Sequence, residues 1–588
     1  MTMRKLFAVL CGVLLAGLAA CKEPLDVNNE NASDVDRTLA TPADLEVFIG
    51  TTYLIAHQAT LGGSNDGLQT QLQVMGFENV SGLANFAMGP RGAIPRPPIT
   101  NTPNATGDAG NQFDFYRGHR AARMATMGLA ALKIPRLGTT ALGSVGRDRR
   151  ARAFAHFSLG VALGNLALAY DSASILTEFD DFKAAIPLSD YQAVMTEALK
   201  HLDSAIAIVR GDSATNANFP LPTTWISVPS TVTLDTTFFI RLARSYRARF
   251  RADIARTSAE RADISVGGIV DWAKVIADAD SGIALNSGDL FLALNPSTGW
   301  DVVWPAQAFA TGSANWHQMS QFILGMADTT HSGTVYAYDT WLGTTRFNRV
   351  PFMVVTPDKR FPQGTTRVLQ TADTAASRSF TGRPYWRNRP DGEDQPVDPF
   401  GMSMYDFYRS KGFNNANRIG NYPVMTRTEM RILAAEGYIR CAMTGTCSVP
   451  GSFATGIARI NVSRTAANAA LPAIPTTITD TLALVPGGTA CVPRVPAAPI
   501  FRSSKCGNVW DAMKYEYRVE TAYCGYGMWF FAGRGWGDIP QGTALNWPVP
   551  WEELFVRSMP IYGTGGLGGF ESSGLGSYGL FDGGVYGW

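Results

Sequence analysis

The stretch DRRARAFAHFSLGVALGNLALAY, residues 148–170, decides how this chain is read. Phe154, Phe157, Val161 and Leu168 are interleaved with Ala153, Gly160, Gly164 and Ala167. Apolar residues at this spacing share the faces of a helix. The small residues among them let a second helix approach closely. The uncharged run 154–169 is shorter than the roughly 20 residues a bilayer span requires, and it carries His156 and Asn165. The stretch therefore predicts a packed helix rather than a membrane span.

Downstream, Ser189-Asp190-Tyr191-Gln192 has the pattern of a capping box. It opens a stripe of Tyr191, Val194, Met195, Ala198, Leu202 and Ala205. Residues 148–170 and 189–209 thus form a helix pair the size of a tetratricopeptide unit. Residues 238–259 with 271–283, and 428–443 with 453–467, read as two further pairs. No strict consensus repeats, so the array is degenerate. Upstream, 115–132 is helical. Thr41-Pro42-Ala43-Asp44 starts the first helix, with Thr41 as N-cap and Pro42 in the first turn. Leu45, Phe48, Ile49 and Thr52 share its face. Residues 62–110 are loop-rich.

Residues 290–421 lack helical periodicity and are rich in Gly, Pro, Thr and aromatics. They read as a long insertion with short strands; loops of this length are usually functional or disordered, and the aromatics argue against disorder. Residues 561–588 hold many glycines and only Glu571 and Asp582 as charges. That tail is expected to be flexible or to lie extended on the surface.

Composition narrows the function. The chain has 588 residues, 46% of them apolar, enough to bury a sizeable core. Its 50 Lys+Arg nearly balance 49 Asp+Glu, for a net charge of +1. Nucleic acid is not an expected partner, because phosphate binding needs a basic patch or excess.

The N-terminus indicates export. Arg4 and Lys5 precede an uncharged Leu- and Ala-rich segment, residues 6–20, of signal-peptide length. It ends in Leu18-Ala19-Ala20-Cys21, which resembles a bacterial lipobox. Residues 1–20 are read as a lipoprotein signal peptide and Cys21 as the lipidated residue. Loss of the leader takes the net charge from +1 to −1. A lipid anchor rather than a span would hold the protein to a membrane. In an exported protein disulfides are allowed. Cys441 with Cys447 and Cys491 with Cys506 are the preferred pairs, leaving Cys524 over, although sequence leaves the connectivity open.

No His-Glu-x-x-His, Walker loop or Gly-x-Ser-x-Gly elbow occurs. His156 and His201 read as core or helix-edge residues. Asp391, Glu393, Asp394 and Asp398 lack the alternating oxygen pattern of an EF-hand and read as a solvated acidic loop. A glycosidase needs two carboxylates about 5–10 Å apart. Glu516 and Glu520 stand one helical turn apart with Arg518 between them, and read as ion-paired scaffold.

The order of segments resembles the SusD/RagB-like family of outer-membrane nutrient-uptake lipoproteins. After the lipobox, Leu25-Asp-Val-Asn-Asn29 and Thr41-Pro-Ala-Asp44 resemble the family's mature N-terminus. Asn421-Tyr-Pro-Val-Met425 with Glu429-Met-Arg-Ile-Leu-Ala-Ala-Glu-Gly437 resembles its central signature. Ala458-Arg-Ile-Asn-Val-Ser-Arg464, the segment Glu516 to Trp536, and Trp547-Pro-Val-Pro-Trp-Glu-Glu-Leu554 resemble its later motifs. Thr428, Cys524 and Ala532 depart from the pattern and imply a thinner internal charge network.

The resemblance implies an all-α, SusD-like fold in which four tetratricopeptide-like helix pairs support a loop-rich irregular region with a few short strands. It implies one domain over 21–588: an N-terminal part (21–289), the insertion (290–421), a signature region (422–560) and a Gly-rich tail (561–588). It also implies a binding protein on the exterior of the outer membrane, not an enzyme, with no catalytic residue, metal or cofactor. Its partners would be an oligosaccharide or other nutrient and a SusC-like TonB-dependent barrel that it lids.

Sugar rings present apolar C–H faces to aromatic side chains, and placed polar groups bind their hydroxyls. Trp300, Trp304, Trp316, Tyr336, Tyr338 and Trp341 crowd the insertion, with Asn315, Gln318 and Asp339 as polar partners. The family also uses the loop after the first helix, which adds Phe77, Asn85 and Phe86. The alternative is that these aromatics anchor the insertion or face the barrel. Two other readings stay open: a surface glycoside-processing enzyme, or a helical-repeat assembly module without a small ligand.

Overall fold

The computed structural model describes residues 39, 41–63, 67–103, 111–181, 184–211, 218–265, 267–302, 316–332, 335–373, 380, 382–391, 393, 403–445, 447–578 and 584–586. The signal segment, Cys21, Trp304, Asn315 and most of the 391–398 acidic loop lie outside the described residues.

The fold is all-α, with a few short strands. The principal helices are α1 (Pro42–Gly50), α2 (Thr52–Gln58), α3 (Leu68–Met75), α4 (Asn111–Ala131), α5 (Val145–Ala169), α6 (Tyr191–Arg210), α7 (Thr236–Asp253), α8 (Trp272–Asp280), α9 (Arg427–Thr444), α10 (Phe453–Arg464), α11 (Val509–Thr521) and α12 (Met528–Trp536). From α4 to α11 each helix packs on the next, and the expected pairs α5–α6, α7–α8 and α9–α10 are in contact. Among the described residues no helix is long and apolar enough to cross a membrane.

The small residues of α5 do what their spacing implies. A Cβ on Gly160 would lie 2.8 Å from Leu202 of α6, and one on Gly164 would lie 2.1 Å from the Phe250 ring of α7. Hydrogen-bonded caps set the helix starts. The Asp44 N–H donates to Thr41 Oγ1 (3.1 Å) at α1, and Ser144 and Thr426 cap α5 and α9. Two expectations need correction. The cap of α6 is Asp190, not Ser189: Asp190 Oδ1 accepts from the N–H of Gln192 and Ala193, both at 2.9 Å. Ser189 instead sits in a short strand, 188–190, paired with 172–174. The helix expected over 238–259 stops at Asp253, because Thr257 and Glu260 form a capping box that starts a new helix, Ser258–Ala262.

Buried ion pairs tie the array together. Arg249 of α7 meets Glu429 of α9 at 2.6 and 2.7 Å. Arg261 meets Glu436 of α9 at 2.9 and 2.8 Å, and Trp536 Nε1 donates to the same carboxylate. Burial alone would raise the Glu436 pKa, but Arg261 and Arg440 more than reverse that and hold it at about 2. Glu516 and Glu520 are ion-paired, as read from their spacing, but to Arg360 (2.7 and 3.1 Å) rather than to Arg518. Arg518 and Lys514 pair with Asp538 at 2.6 and 2.7 Å. The charge network is therefore not thinned at this point, since Asp538 supplies a carboxylate just after α12. Cys441–Cys447 and Cys491–Cys506 are disulfide-bonded, and Cys524 is a buried thiol.

The insertion is closed at its base by its own strands. Leu290–Leu294 pairs antiparallel with Gly420–Met425, from Leu290↔Met425 to Leu294↔Gly420. Leu290, Leu292 and Leu294 point inward with the period of two expected of a strand.

Much of the described tail lies on the surface, one of its two expected arrangements, and it is pinned to the body at several points. The Ile99 N–H donates to the Thr564 carbonyl (2.8 Å), and Ser577 N–H donates to the Gly537 carbonyl (2.8 Å). Val585 and Tyr586 are buried, and Tyr586 stacks on Phe77. The glycines serve backbone geometry rather than mobility. Gly565, for example, has φ +82°, and a Cβ there would meet Ala544 at 2.8 Å. Glycine is the residue that adopts this conformation at little cost.

Candidate functional site

Most of the aromatics expected to meet ligand are packed against protein. Trp300 is 4% exposed, between Tyr53 and His57, with ring centroids at 6.0 and 5.4 Å. Tyr338 is buried on Trp341 and Phe352, and Trp341 lies under the Arg349 guanidinium. Arg494 lies 3.6 Å over the centroid of Tyr336, whose hydroxyl donates to the Thr489 carbonyl (3.2 Å). Asp339 accepts from the backbone and hydroxyl of Ser504 at 2.6 and 2.5 Å. Gln318 is buried, its Oε1 accepting from Ser403 N–H (3.0 Å). These side chains fasten the insertion to the body, which corrects the expectation that Trp300, Tyr336, Tyr338, Trp341, Gln318 and Asp339 form a ligand surface. The reason is energetic: large aromatic side chains gain most from burial, and an irregular segment without its own helical core takes its stability from such anchors.

A smaller subset does converge on an open face. The antiparallel bridge Val80↔Gln318 joins the loop after α3 to the insertion. Asn79 Nδ2 donates to the Trp316 carbonyl (2.8 Å) and holds that residue against the loop. Half-buried Trp316 and Phe86 then meet edge to face, 5.8 Å apart at 77°, over buried Val74 and Met88. Phe77, by contrast, is mostly covered. Asn85 is exposed beside Phe86. Phe86 and Ala87 both have positive φ, 55° and 61°. Such backbone is uncommon for non-glycine residues and often marks functional loops.

Next to this pair lies a concavity of about 390 Å³, walled by Val74, Val80 and Ile94 and rimmed by Leu83, Arg346 and Phe347. Phe347 is 76% exposed. Leu83, Arg346 and Phe347 were not singled out from sequence. Phe347 lies just beyond the aromatic cluster, but nothing in the pattern around it distinguishes an exposed ring from a buried one.

The electrostatics of this face are one-sided. Arg346 is the charged residue among its lining residues. Behind it, Arg96 is buried with its Cζ 5.3 Å from the Phe77 centroid, and its guanidinium nitrogens have no hydrogen-bond partner among the described residues. Burial lowers its pKa to about 9, with the neighbouring Arg91 adding to the effect. Below the loop, burial raises the Glu78 carboxyl to about 8, although it accepts from Tyr523 N–H. Glu78 is thus largely protonated at neutral pH. The face can stack an apolar ring and offer polar groups at its edge; among the described residues it presents no carboxylate pair for acid–base chemistry. Among the described residues no cluster of three or more His, Cys, Asp or Glu is placed to hold a metal.

No sequence-family model matches the chain, and no curated protein matches it. Solved structures that it resembles belong to the SusD superfamily. One, a SusD superfamily protein from Bacteroides vulgatus ATCC 8482, has a TM-score of 0.47 at 12% identity, covering 85% of this chain and 89% of that one. A chitin-binding SusD homolog from Flavobacterium johnsoniae has a TM-score of 0.45 at 13% identity, covering 83% and 85%. A laminarin-binding SusD-like protein has a TM-score of 0.46 at 12% identity, covering 89% and 99%.

Proposed function

We propose that this chain is a SusD-like outer-membrane lipoprotein, lipidated at Cys21, that binds an oligosaccharide at the Phe86–Trp316 face and lids a SusC-like TonB-dependent barrel. The observation that carries the reading is where the family-like motifs fall. Glu429, Glu436 and Glu516, all within those motifs, form the buried ion pairs that join separate helices and the insertion. A resemblance confined to chance fragments would not concentrate on the groups that assemble the fold.

The face supports binding rather than turnover, because it combines an aromatic corner, a concavity and polar edges without a paired acid and base. Exposed Phe555, Val556, Met559, Ile561, Leu567, Phe570 and Leu575 crowd one stretch after the last signature motif. Exposed apolar surface of this kind suits a protein partner, and we assign it to the barrel.

Two measurements test the proposal. The native lipoprotein is pulled down from detergent-solubilised outer membranes and its companions are identified by mass spectrometry; a TonB-dependent barrel in near-equal amount is expected. Its absence, with the lipoprotein folded and membrane-bound, overturns the lid role. Calorimetric titration with a glycan panel is expected to show binding that Phe86→Ala and Trp316→Ala weaken by about tenfold or more, or about 1.4 kcal/mol. Binding unchanged in both variants overturns the assigned face.

A further inference from the structure

A much larger cavity, about 920 Å³, lies away from that face, between the start of α7 and the strand pair that closes the insertion. Its volume falls in the range of small-molecule sites, about 300–1,000 Å³. Phe291, Phe380, Phe413 and Ile419 supply an apolar wall. Phe380 and Phe413 are largely covered and pack on Tyr422, with ring centroids 4.8 and 5.2 Å away, while Phe291 is half-buried.

The polar groups facing this wall are of both kinds. Asp235 caps α7 through Oδ1, and Asp289 accepts from Arg427 N–H through Oδ1; in each case Oδ2 has no hydrogen bond among the described residues. Arg241 spends Nη1 on Asn286 Oδ1 and the Leu285 carbonyl, which leaves Nη2 and the Asn286 amide as donors. The exposed Asn421 side chain has no hydrogen bond among the described residues and can both donate and accept. An acyl chain would leave these groups unpaired, which is costly. An anion would meet two carboxylates, and a cation would meet Arg241. A hydroxylated ring donates and accepts at every hydroxyl while stacking its C–H face on phenyl rings.

We propose that this cavity is a second carbohydrate site, which takes a neutral sugar residue. It is independent of the Phe86–Trp316 face and survives the failure of that assignment.

Gly288 supplies the test. It lines the cavity, its φ is not left-handed, and a Cβ there meets nothing within 4 Å. Gly288→Trp should fill the space without disturbing the fold, and Asn421→Ala removes a polar contact from an exposed position. The mature chain, its Phe86→Ala/Trp316→Ala variant, and each of these with Gly288→Trp or Asn421→Ala are titrated calorimetrically. The probes are neutral oligosaccharides of glucose, N-acetylglucosamine, xylose and mannose, with oligogalacturonate and tetralysine as charged probes. The expected result is a neutral oligosaccharide that still binds the Phe86→Ala/Trp316→Ala variant and loses about tenfold or more affinity on adding Gly288→Trp, with a smaller loss for Asn421→Ala. The proposal is overturned if Gly288→Trp and Asn421→Ala leave every neutral glycan unaffected, if no neutral glycan binds once Phe86 and Trp316 are replaced, or if only a charged probe responds to Gly288→Trp. Loss on replacing Phe86 and Trp316 alone would leave the first face standing and remove the second.

Discussion

The helical array and the insertion with its tail are built from the same residue types but hold together differently. In the array, adjacent sequence makes adjacent structure: α5 meets α6 and α7 through Gly160 and Gly164, and the helices from α5 to α11 each start on a side-chain cap. In the insertion and tail, stability comes from partners far away in the chain. Trp300 packs on Tyr53, Tyr336 bonds residue 489, and Tyr586 stacks on Phe77. The difference teaches that an aromatic in an irregular segment is first an anchor. Those left half-covered by the packing, such as Phe86 and Trp316, remain to meet a ligand.

The hardest blow to the array should be Glu436→Ala. It leaves the buried Arg261 guanidinium with Asp253 (3.2 Å) as its remaining carboxylate among the described residues and removes partners of Arg440 and Trp536. Breaking a buried pair by removing one member costs about 3–5 kcal/mol. Chemical denaturation should show a loss of that size, and a loss under about 1 kcal/mol would mean that the pair does not join the helices.

On the other side of the comparison, Tyr586→Ala should destabilise the chain by about 3 kcal/mol, in the range for truncating a buried aromatic. Phe570→Ser, at a 60% exposed position in the same tail, should be close to neutral. Equal effects at the two positions would erase the distinction between anchor and surface residue.

The α5–α6 contact carries a pH dependence. His156 Nδ1 lies 2.9 Å from His201 Nδ1, so one proton serves both. Burial, with His201 beside it, lowers the His156 pKa from 6.5 to about 4 against the opposing field of Glu178; Arg152 and Lys133 add to the lowering. His201, held by the same burial, also faces Glu197 and Lys200. A lowered folded-state pKa means that the unfolded chain binds more protons between about pH 4 and 6.5. The stability is present above pH 6.5 and is lost as pH falls towards 4. By this linkage His156 accounts for about 2 kcal/mol of loss at pH 5. The stability difference between wild type and His156→Gln should therefore move by that amount between pH 7.5 and pH 5. A constant difference would show that the pair does not titrate as described.

The smallest effect separates two neighbouring residues. Asp190→Ala should cost about 1 kcal/mol through the lost cap of α6, and Ser189→Ala should cost little. The reverse ranking would restore the capping box expected from the sequence.

Much of the array was legible because helices advertise themselves locally. The spacing of Phe154, Phe157 and Val161, and the Thr41-Pro42 start, needed no knowledge of the rest of the chain. The α6 cap was missed by one residue because Ser189 and Asp190 are both good caps, and the position at which the helix begins, Tyr191, selects Asp190. Of the site, Phe86 and Trp316 were named, but so were Trp300, Tyr338 and Trp341, since composition marks aromatics without marking their exposure. The cavity beside α7 left no signal at all. Its phenylalanines and carboxylates come from four separate segments spread between Asp235 and Phe413.

What the sequence determined by itself was the helical period, the Thr41 cap, the pairs of helices and the order of the family-like motifs, because each depends on residues a few positions apart. Tertiary structure alone decided which aromatics became anchors and which stayed open, that the glycine-rich tail is pinned, and that a polar cavity with a phenyl wall opens at the base of the insertion. Those outcomes depend on which distant segments exclude water from one another, and burial is a property of the assembled surfaces rather than of any stretch that contributes to them.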